Sequence, residues 1–395
     1  MKSRNLKSQI TMLMVIGLVL FIAVSFILYL SKSTVKKQSQ QSIKTVQGTA
    51  IETQPIREFA AKCLDKLAKD AVTLLGSQGG YIYSSQGGTL IDYSDTDEGL
   101  FFVRHNSVNV AYNILPPKFA APPYSSGIPD YPWPAFPYQT AASNEEIFEG
   151  FFGVSNIPPL NSSEGPNSIQ TQIGSFIDSN MAGCADFSSF EKQGIEITMQ
   201  PVKTSAVIGS SDVTINSKIP IRISNKETSE FAEISDFSVN LNLRLRSIYF
   251  FSKELVENDV KNIKFDIGSI NNSRDFLSVK VLKHAFSNDD LIIVTDEKSL
   301  ISGKPFEYVF ARRNRAPALY YIKKTILDYP PLYTINQSDL LEDYKLMAED
   351  PDEDNYTFTI TPALPKVLNV PQIKFKVEVS DGRLSDYQTI TVNRI

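Results

Sequence analysis

Gln372-Ile373-Lys374-Phe375-Lys376-Val377-Glu378-Val379-Ser380, near the C-terminus, carries an apolar residue at every second position. Successive side chains of an extended strand point to opposite faces, so Ile373, Phe375, Val377 and Val379 line one face. Ile390 and Val392 repeat the alternation a few residues on. Such a face must be covered by further elements, so the last part of the chain, 314–395, reads as an all-β domain.

Upstream the same period of two returns. It links Ile195 with Ile197, Val213 with Ile215, and Ile219, Ile221 and Ile223, and it runs over nine positions through Phe237, Val239, Leu241, Leu243 and Leu245. Further strands are expected at 276–282, 291–294 and 306–310, with a helix near 248–256 between them.

The region before Gly194 has helical spacing instead. Pro55 suits a first helical turn, and Ile56, Phe59, Ala60, Cys63, Leu64, Leu67, Ala71, Leu74 and Leu75 mark one buried face ending at Gly76. A second helix carries Ile169, Ile173, Phe176, Ile177 and Met181, with Cys184 just past it. Ser143-Asn144-Glu145-Glu146 has the form of a capping box for a short helix through Phe152. Gly79-Gly80-Tyr81-Ile82-Tyr83 reads as a turn into a strand. Residues 55–313 are therefore expected to be α+β, with amphipathic helices and a mostly antiparallel sheet.

At the other end, Gln9 to Leu30, QITMLMVIGLVLFIAVSFILYL, has no charge from Ile10 onward. At the helical rise this length crosses a hydrocarbon core, and it exceeds the apolar run of a cleaved signal peptide. The reading is an uncut transmembrane anchor over 9–30, with a cytoplasmic tip at 1–8 and a polar stalk at 31–54. Lysine and arginine flank the span almost evenly, but a long downstream domain is translocated largely regardless of charge. The bulk of the chain is expected outside the cell, its C-terminal domain extracellular. There Asn161, Asn271, Asn336 and Asn355 are sequons for glycosylation.

A net charge of −5 leaves no basic footprint for nucleic acid, and two histidines, His105 and His284, leave little for a multi-histidine metal site. The two cysteines lie too far apart for a C-x-x-C site. In an exported protein a Cys63–Cys184 disulfide is the natural pairing, against two buried free thiols. Residues 116–138, PPKFAAPPYSSGIPDYPWPAFPY, exclude helix interior and central strand. In this loop Tyr124, Tyr131, Trp133, Phe136 and Tyr138 are a candidate platform for sugar rings or a partner chain; the alternative is a loop that buries its aromatics against the ectodomain.

Asn314-Arg315-Ala316-Pro317, then Asp350-Pro351-Asp352-Glu353-Asp354, then Val379-Ser380-Asp381-Gly382 follow in order over about 80 residues. This series resembles the cadherin-like, immunoglobulin-fold domains of prokaryotic surface proteins, whose repeats begin N-x-A-P, carry D-P-D-G-D and end in V-S-D-G. Glu353 stands where that pattern has glycine. The resemblance implies an immunoglobulin-like β-sandwich at 314–395. Lys7-Ser8-Gln9 ahead of the apolar run resembles the class III, pilin-like signals of archaeal surface proteins, although Leu13 replaces the usual glutamate. The 55–313 region is similar to a group of membrane-anchored exported archaeal proteins, a resemblance that implies location and not reaction.

Asp350, Asp352 and Asp354 crowd like charges into one turn, and the fold can bring Asp381 to it. Calcium favours several oxygen ligands, so these four are candidate calcium ligands; a solvated acidic turn is the alternative. No G-x-S-x-G, H-E-x-x-H or Walker loop is present, so no cofactor other than calcium and no enzymatic activity is expected. The expected function is adhesion or cell-envelope assembly by binding an extracellular protein or glycan, with the anchor in the membrane. A pilin-like filament subunit and an ectoenzyme acting on envelope glycans are the alternatives.

Overall fold

The computed structural model describes residues 52–117, 152–192, 194–225, 230–268, 274–320, 322, 325–341 and 347–395. The expected anchor at 9–30, nearly all of the stalk, the loop aromatics Tyr124, Tyr131, Trp133, Phe136 and Tyr138, the capping box at 143–146 and the sequon at Asn271 lie outside these residues. Among the described residues no helix is long and apolar enough to cross a membrane.

Three long helices form, α1 (Gln54–Ser77), α2 (Ile169–Cys184) and α3 (Leu245–Lys261). The strands in chain order are β1 (Phe102–His105), β2 (Val108–Leu115), β3 (Val154–Ser155), β4 (Ile195–Met199), β5 (Lys203–Ile208), β6 (Val213–Asn225), β7 (Phe231–Leu241), β8 (Leu277–Phe286), β9 (Asp289–Ile301) and β10 (Lys304–Arg312). They continue with β11 (Ala318–Leu319), β12 (Ile326–Tyr329), β13 (Thr334–Ile335), β14 (Ala348–Glu349), β15 (Thr357–Thr361), β16 (Lys366–Val367), β17 (Gln372–Ser380) and β18 (Ser385–Arg394). The chain is α+β, and its C-terminal region is rich in sheet.

It divides into two compact units, one holding 52–61, 185–202 and 217–238 of the described residues, the other 62–184, 203–216 and 239–395. In the first, β4 pairs antiparallel with β6, Ile195 opposite Asn225 and Ile197 opposite Ile223. Phe59 meets Phe187 edge-on at 5.6 Å, and the Arg57 guanidinium lies over the Phe237 ring at 5.3 Å.

In the second unit, five strands run in the order β1-β2-β10-β9-β8, with β3 on β2. All pairings are antiparallel except β10 with β2. β2 and the second half of β10 are buried on both faces. One face packs Val103, Val110, Tyr112, Leu291, Val309 and Ala311 together. Helix α3 packs against β2, β9 and β10. Cys63 of α1 and Cys184, the last residue of α2, form a disulfide with their Cα atoms 5.8 Å apart. Closing a loop of that length stabilises by about 4–5 kcal/mol in the chain-entropy model.

The C-terminal residues of the same unit form a four-stranded sheet, β12-β18-β17-β15, with the small pairs β11–β14 and β13–β16 beside it. Ile373, Phe375, Val377, Val379, Ile390 and Val392 all enter one core with Leu319, Leu327, Ile335, Leu340 and Leu368. Across β17 and β18, Phe375 stands opposite Ile390 and Ile373 opposite Val392.

Two expectations are corrected. Leu243 and Leu245 continue the strand alternation of β7, yet β7 ends at Leu241 and Leu245 opens α3. The buried stripe Leu245, Ile248, Tyr249, Ser252, Leu255, Val256, Asp259 and Val260 has helical spacing and overrides two residues of period two. Gly79 to Tyr83 turns the chain but makes only a single bridge, Tyr83 to Leu90.

This turn is nevertheless tightly specified. Gly79 and Gly80 have φ of 75° and 88°, a region that favours glycine. Tyr308 Oη donates to the Gly79 carbonyl at 3.1 Å, and Gln172 Nε2 donates to the Gly80 carbonyl at 3.0 Å. A Cβ on Gly80 would lie 2.4 Å from Tyr308 Oη and 2.7 Å from Pro158 Cγ. Gly80→Ala should therefore lower the unfolding free energy by roughly 2–4 kcal/mol, adding left-handed strain to overpacking. Denaturant unfolding of the variant checks this, and a loss under ~0.5 kcal/mol would show that the turn yields freely.

Candidate functional site

Where β10 ends, the chain places Arg312 and Arg315 three residues apart, and both are fully buried. A guanidinium is charged at any physiological pH, so its burial demands carboxylates and a complete set of acceptors. Asp259 near the end of α3, Asp290 at the start of β9, and Asp352 in the loop after β14 supply the carboxylates, with Arg312 Nε alone among the guanidinium nitrogens of the two arginines making no hydrogen bond. Arg312 donates from Nη1 to Asp259 Oδ1 at 2.8 Å and from Nη2 to Asp290 Oδ2 at 2.7 Å; its Nε lies 3.2 Å from Asp352 Oδ1. Arg315 donates from Nε and Nη2 to Asp352 Oδ1 at 3.0 and 2.7 Å, and from its backbone N–H to Asp352 Oδ2 at 2.6 Å. It also reaches the carbonyls of Phe152 and Pro351.

Burial alone would lower both guanidinium pKa values, but the charges of Asp259 and Asp352 outweigh it and raise them. Both guanidinium groups thus stay charged, and the cluster ties α3 and β9 to the start and the acidic loop of the C-terminal region. Lys283 on β8 adds an outer contact, donating to the Asp352 carbonyl and lying 3.4 Å from Asp290 and 3.8 Å from Glu353.

Of the four expected calcium ligands, Asp352 and Asp381 are engaged through both carboxylate oxygens and Asp350 through one. Asp352 is held by the arginines. Asp381 accepts from Asn314 Nδ2 at 2.7 Å through Oδ2, and through Oδ1 from the N–H groups of Arg383 and Leu384. Asp350 accepts from the N–H groups of Asp352 and Asp354 through Oδ1. Asp350 Oδ2, Asp354 Oδ2 and Asn314 Oδ1 are buried without a hydrogen-bond partner. The four carboxylates do not converge: among the described residues no group of three or more His, Cys, Asp or Glu is arranged to hold a metal ion. Both carboxylate oxygens of Asp352 are taken by Arg315, through its backbone N–H and its guanidinium.

The acidic loop still carries excess negative charge. Burial, with the Asp352 charge, pushes Asp350 up to about 7. Burial, with Asp352 and Asp290, pushes Asp354 up to about 6, against His284 Nε2 3.7 Å away. Glu353 is raised to about 7 by burial and by its hydrogen bond with Asp266. Its φ of 62° keeps the left-handed backbone of the glycine that the resembled motif carries there.

Asn161, Asn336 and Asn355 are exposed. Asn161 donates to Glu164 at 2.5 Å, and Asn336 caps a short helix with Asp339. Sequence reading did not find Arg312, Asp259, Asp290 or Lys283, and took Arg315 only as the variable position of N-x-A-P. The available signal was the run Arg312-Arg313-Asn314-Arg315 at the domain junction, facing the pair Asp289-Asp290 upstream.

No family model and no curated protein matches the chain. The extracellular cadherin domains 1–4 of protocadherin gamma B7 align with it at a TM-score of 0.14 and 10% identity, over 56% of this chain and 71% of that one. A score of that size carries no argument.

Removing one partner of the arginine cluster leaves uncompensated buried charge. Arg315→Ala is expected to cost about 3–5 kcal/mol, and Arg315→Lys to recover little of it because an ammonium cannot bridge Asp352 with two donors. Equilibrium unfolding followed by circular dichroism reads both; a loss below ~1 kcal/mol for Arg315→Ala would mean the bridge contributes nothing net.

Proposed function

We propose that this chain is a membrane-anchored, outward-facing surface protein that acts in adhesion or cell-envelope assembly by binding an extracellular protein or glycan. In this reading residues 314–395 form a cadherin-like, immunoglobulin-type β-sandwich, and residues 9–30 hold the protein in the membrane. The observation that carries the reading is the buried Arg312–Arg315 cluster, which makes the sheet-rich C-terminal region a rigid continuation of the body. A binding surface held by a fixed body resists being pulled away from its anchor. The Cys63–Cys184 disulfide supports folding in an oxidising compartment. Protease added to intact cells that express the full chain should digest it from the outside, and deletion of 1–30 should release it. Protection of the chain in intact cells would contradict the reading.

Calcium enters this proposal as a stiffener of the acidic loop, not of the arginine cluster. Asp350 Oδ2 and Asp354 Oδ2 are its candidate donors, buried oxygens without hydrogen-bond partners on two residues joined by the Asp354 N–H to Asp350 Oδ1 bond. A divalent cation there would neutralise charge that is otherwise relieved by protons.

The loop predicts a pH dependence. Asp350 and Asp354 bind protons more tightly when folded than the usual unfolded value near 4 allows. Between roughly pH 4 and 7 the folded state therefore holds more protons, and its stability falls as pH rises through that window. Without divalent ions the melting temperature of the full chain should drop from pH 5 to pH 7.5, and millimolar calcium should remove most of the drop. A calcium effect that survives in Asp350→Asn/Asp354→Asn would assign the ion elsewhere.

A further inference from the structure

Sheet edges carry unpaired backbone donors and acceptors, and proteins that avoid edge association place charge or proline on them. Among the described edge strands of four or more residues, six carry charge: Arg104 in β1, Glu196 in β4, Lys203 in β5, Glu233 in β7, Lys280 in β8 and Asp328 in β12. β12 also runs into Pro330-Pro331. The seventh edge, β15, reads Thr357-Phe358-Thr359-Ile360-Thr361, with no charge along its length, and Pro362 follows it as Pro330 follows β12. It pairs with β17 on one side and, among the described residues, with no strand on the other. Among the described edges of this length, β15 is the one with no charged residue in the strand.

The strand is also self-complementary. Its polar and apolar residues are symmetric about Thr359, so an antiparallel copy centred there sets Thr359 against Thr359, Thr357 against Thr361 and Phe358 against Ile360. Phe358 and Ile360 are only half-buried, at the rim of the C-terminal core. Facing a second copy they would bury each other twice across the seam, while β-branched threonines pair on the outer face. A two-fold axis through Thr359 uses the same patch on both chains, which closes the assembly at two copies.

We propose that β15 is a homotypic pairing edge, through which two copies of this chain join antiparallel about Thr359 into one eight-stranded sheet. This deepens the surface-assembly reading by naming a partner, and it rests on that reading only for the setting in which copies meet. The edge does not use the arginine cluster or the acidic loop.

The test uses the full chain purified in detergent. Sedimentation at micromolar concentrations should show a dimer, and Thr359→Lys, which sets like charges opposite each other, should return it to monomer with an unchanged melting temperature. The sequence has only the two cysteines that pair with each other, so an introduced cysteine is the sole free thiol. On oxidation, Thr359→Cys should give a disulfide-linked dimer. Thr357→Cys alone should not, but mixed with Thr361→Cys it should. A wild-type monomer, a Thr359→Lys dimer as strong as wild type, or failure of Thr359→Cys to cross-link would each overturn the proposal. Dimers formed through the apolar N-terminal stretch would persist in Thr359→Lys, which separates that outcome. Digestion of the chain on intact cells is read independently, so the pairing can fail while the surface location stands.

Discussion

Taking two guanidinium groups out of water is the constraint on which the second unit depends. An ion of that size loses several kcal/mol of hydration even after the surroundings relax, and the loss is recovered only by carboxylates in good geometry with every donor satisfied. Arg312 and Arg315 find three carboxylates, Asp259, Asp290 and Asp352, drawn from a helix, a strand and a loop that are far apart in sequence, and Arg312 Nε is held by the Asp352 charge without a hydrogen bond. None of the three carboxylates can move without exposing or stranding a charge. The cluster therefore fixes where α3, β9 and the loop after β14 stand relative to one another, a precision that apolar packing alone does not impose.

The same cluster redraws the boundary at 313/314. Arg312 is the last residue of β10 and Arg315 belongs to the first turn of the C-terminal region, yet both share Asp259 and Asp352. The junction expected between the two regions is fully buried at Arg312 and Arg315. It also changes the role of the acidic loop. Asp352 serves the arginines, and what remains for a cation or for protons is the outer pair, Asp350 and Asp354.

Half-buried elements were the legible ones. β17 and β18 alternate cleanly because one face meets the core and the other meets water, and α1 and α2 show a helical stripe for the same reason. β2 left no period to read: Val110 through Ile114 is buried on both faces, with Tyr112 and Asn113 among the apolar residues. The start of α3 was ambiguous because Leu241, Leu243 and Leu245 are all buried, so two periods share the same leucines. At the site, the spacing of the aspartates was visible, but their arginine partners come from tertiary pairing over 22 to 56 residues, which no local pattern encodes.

The central claim is that the arginine cluster makes the body and the C-terminal region open as one. Native-state amide hydrogen exchange on the full chain tests it most directly, by comparing the slowest amides of β9 and β10 with those of β17 and β18. The account predicts one shared opening free energy for both groups, which splits in Arg315→Ala with β17 and β18 falling below β9 and β10. Two separate opening energies in the wild-type chain would contradict it.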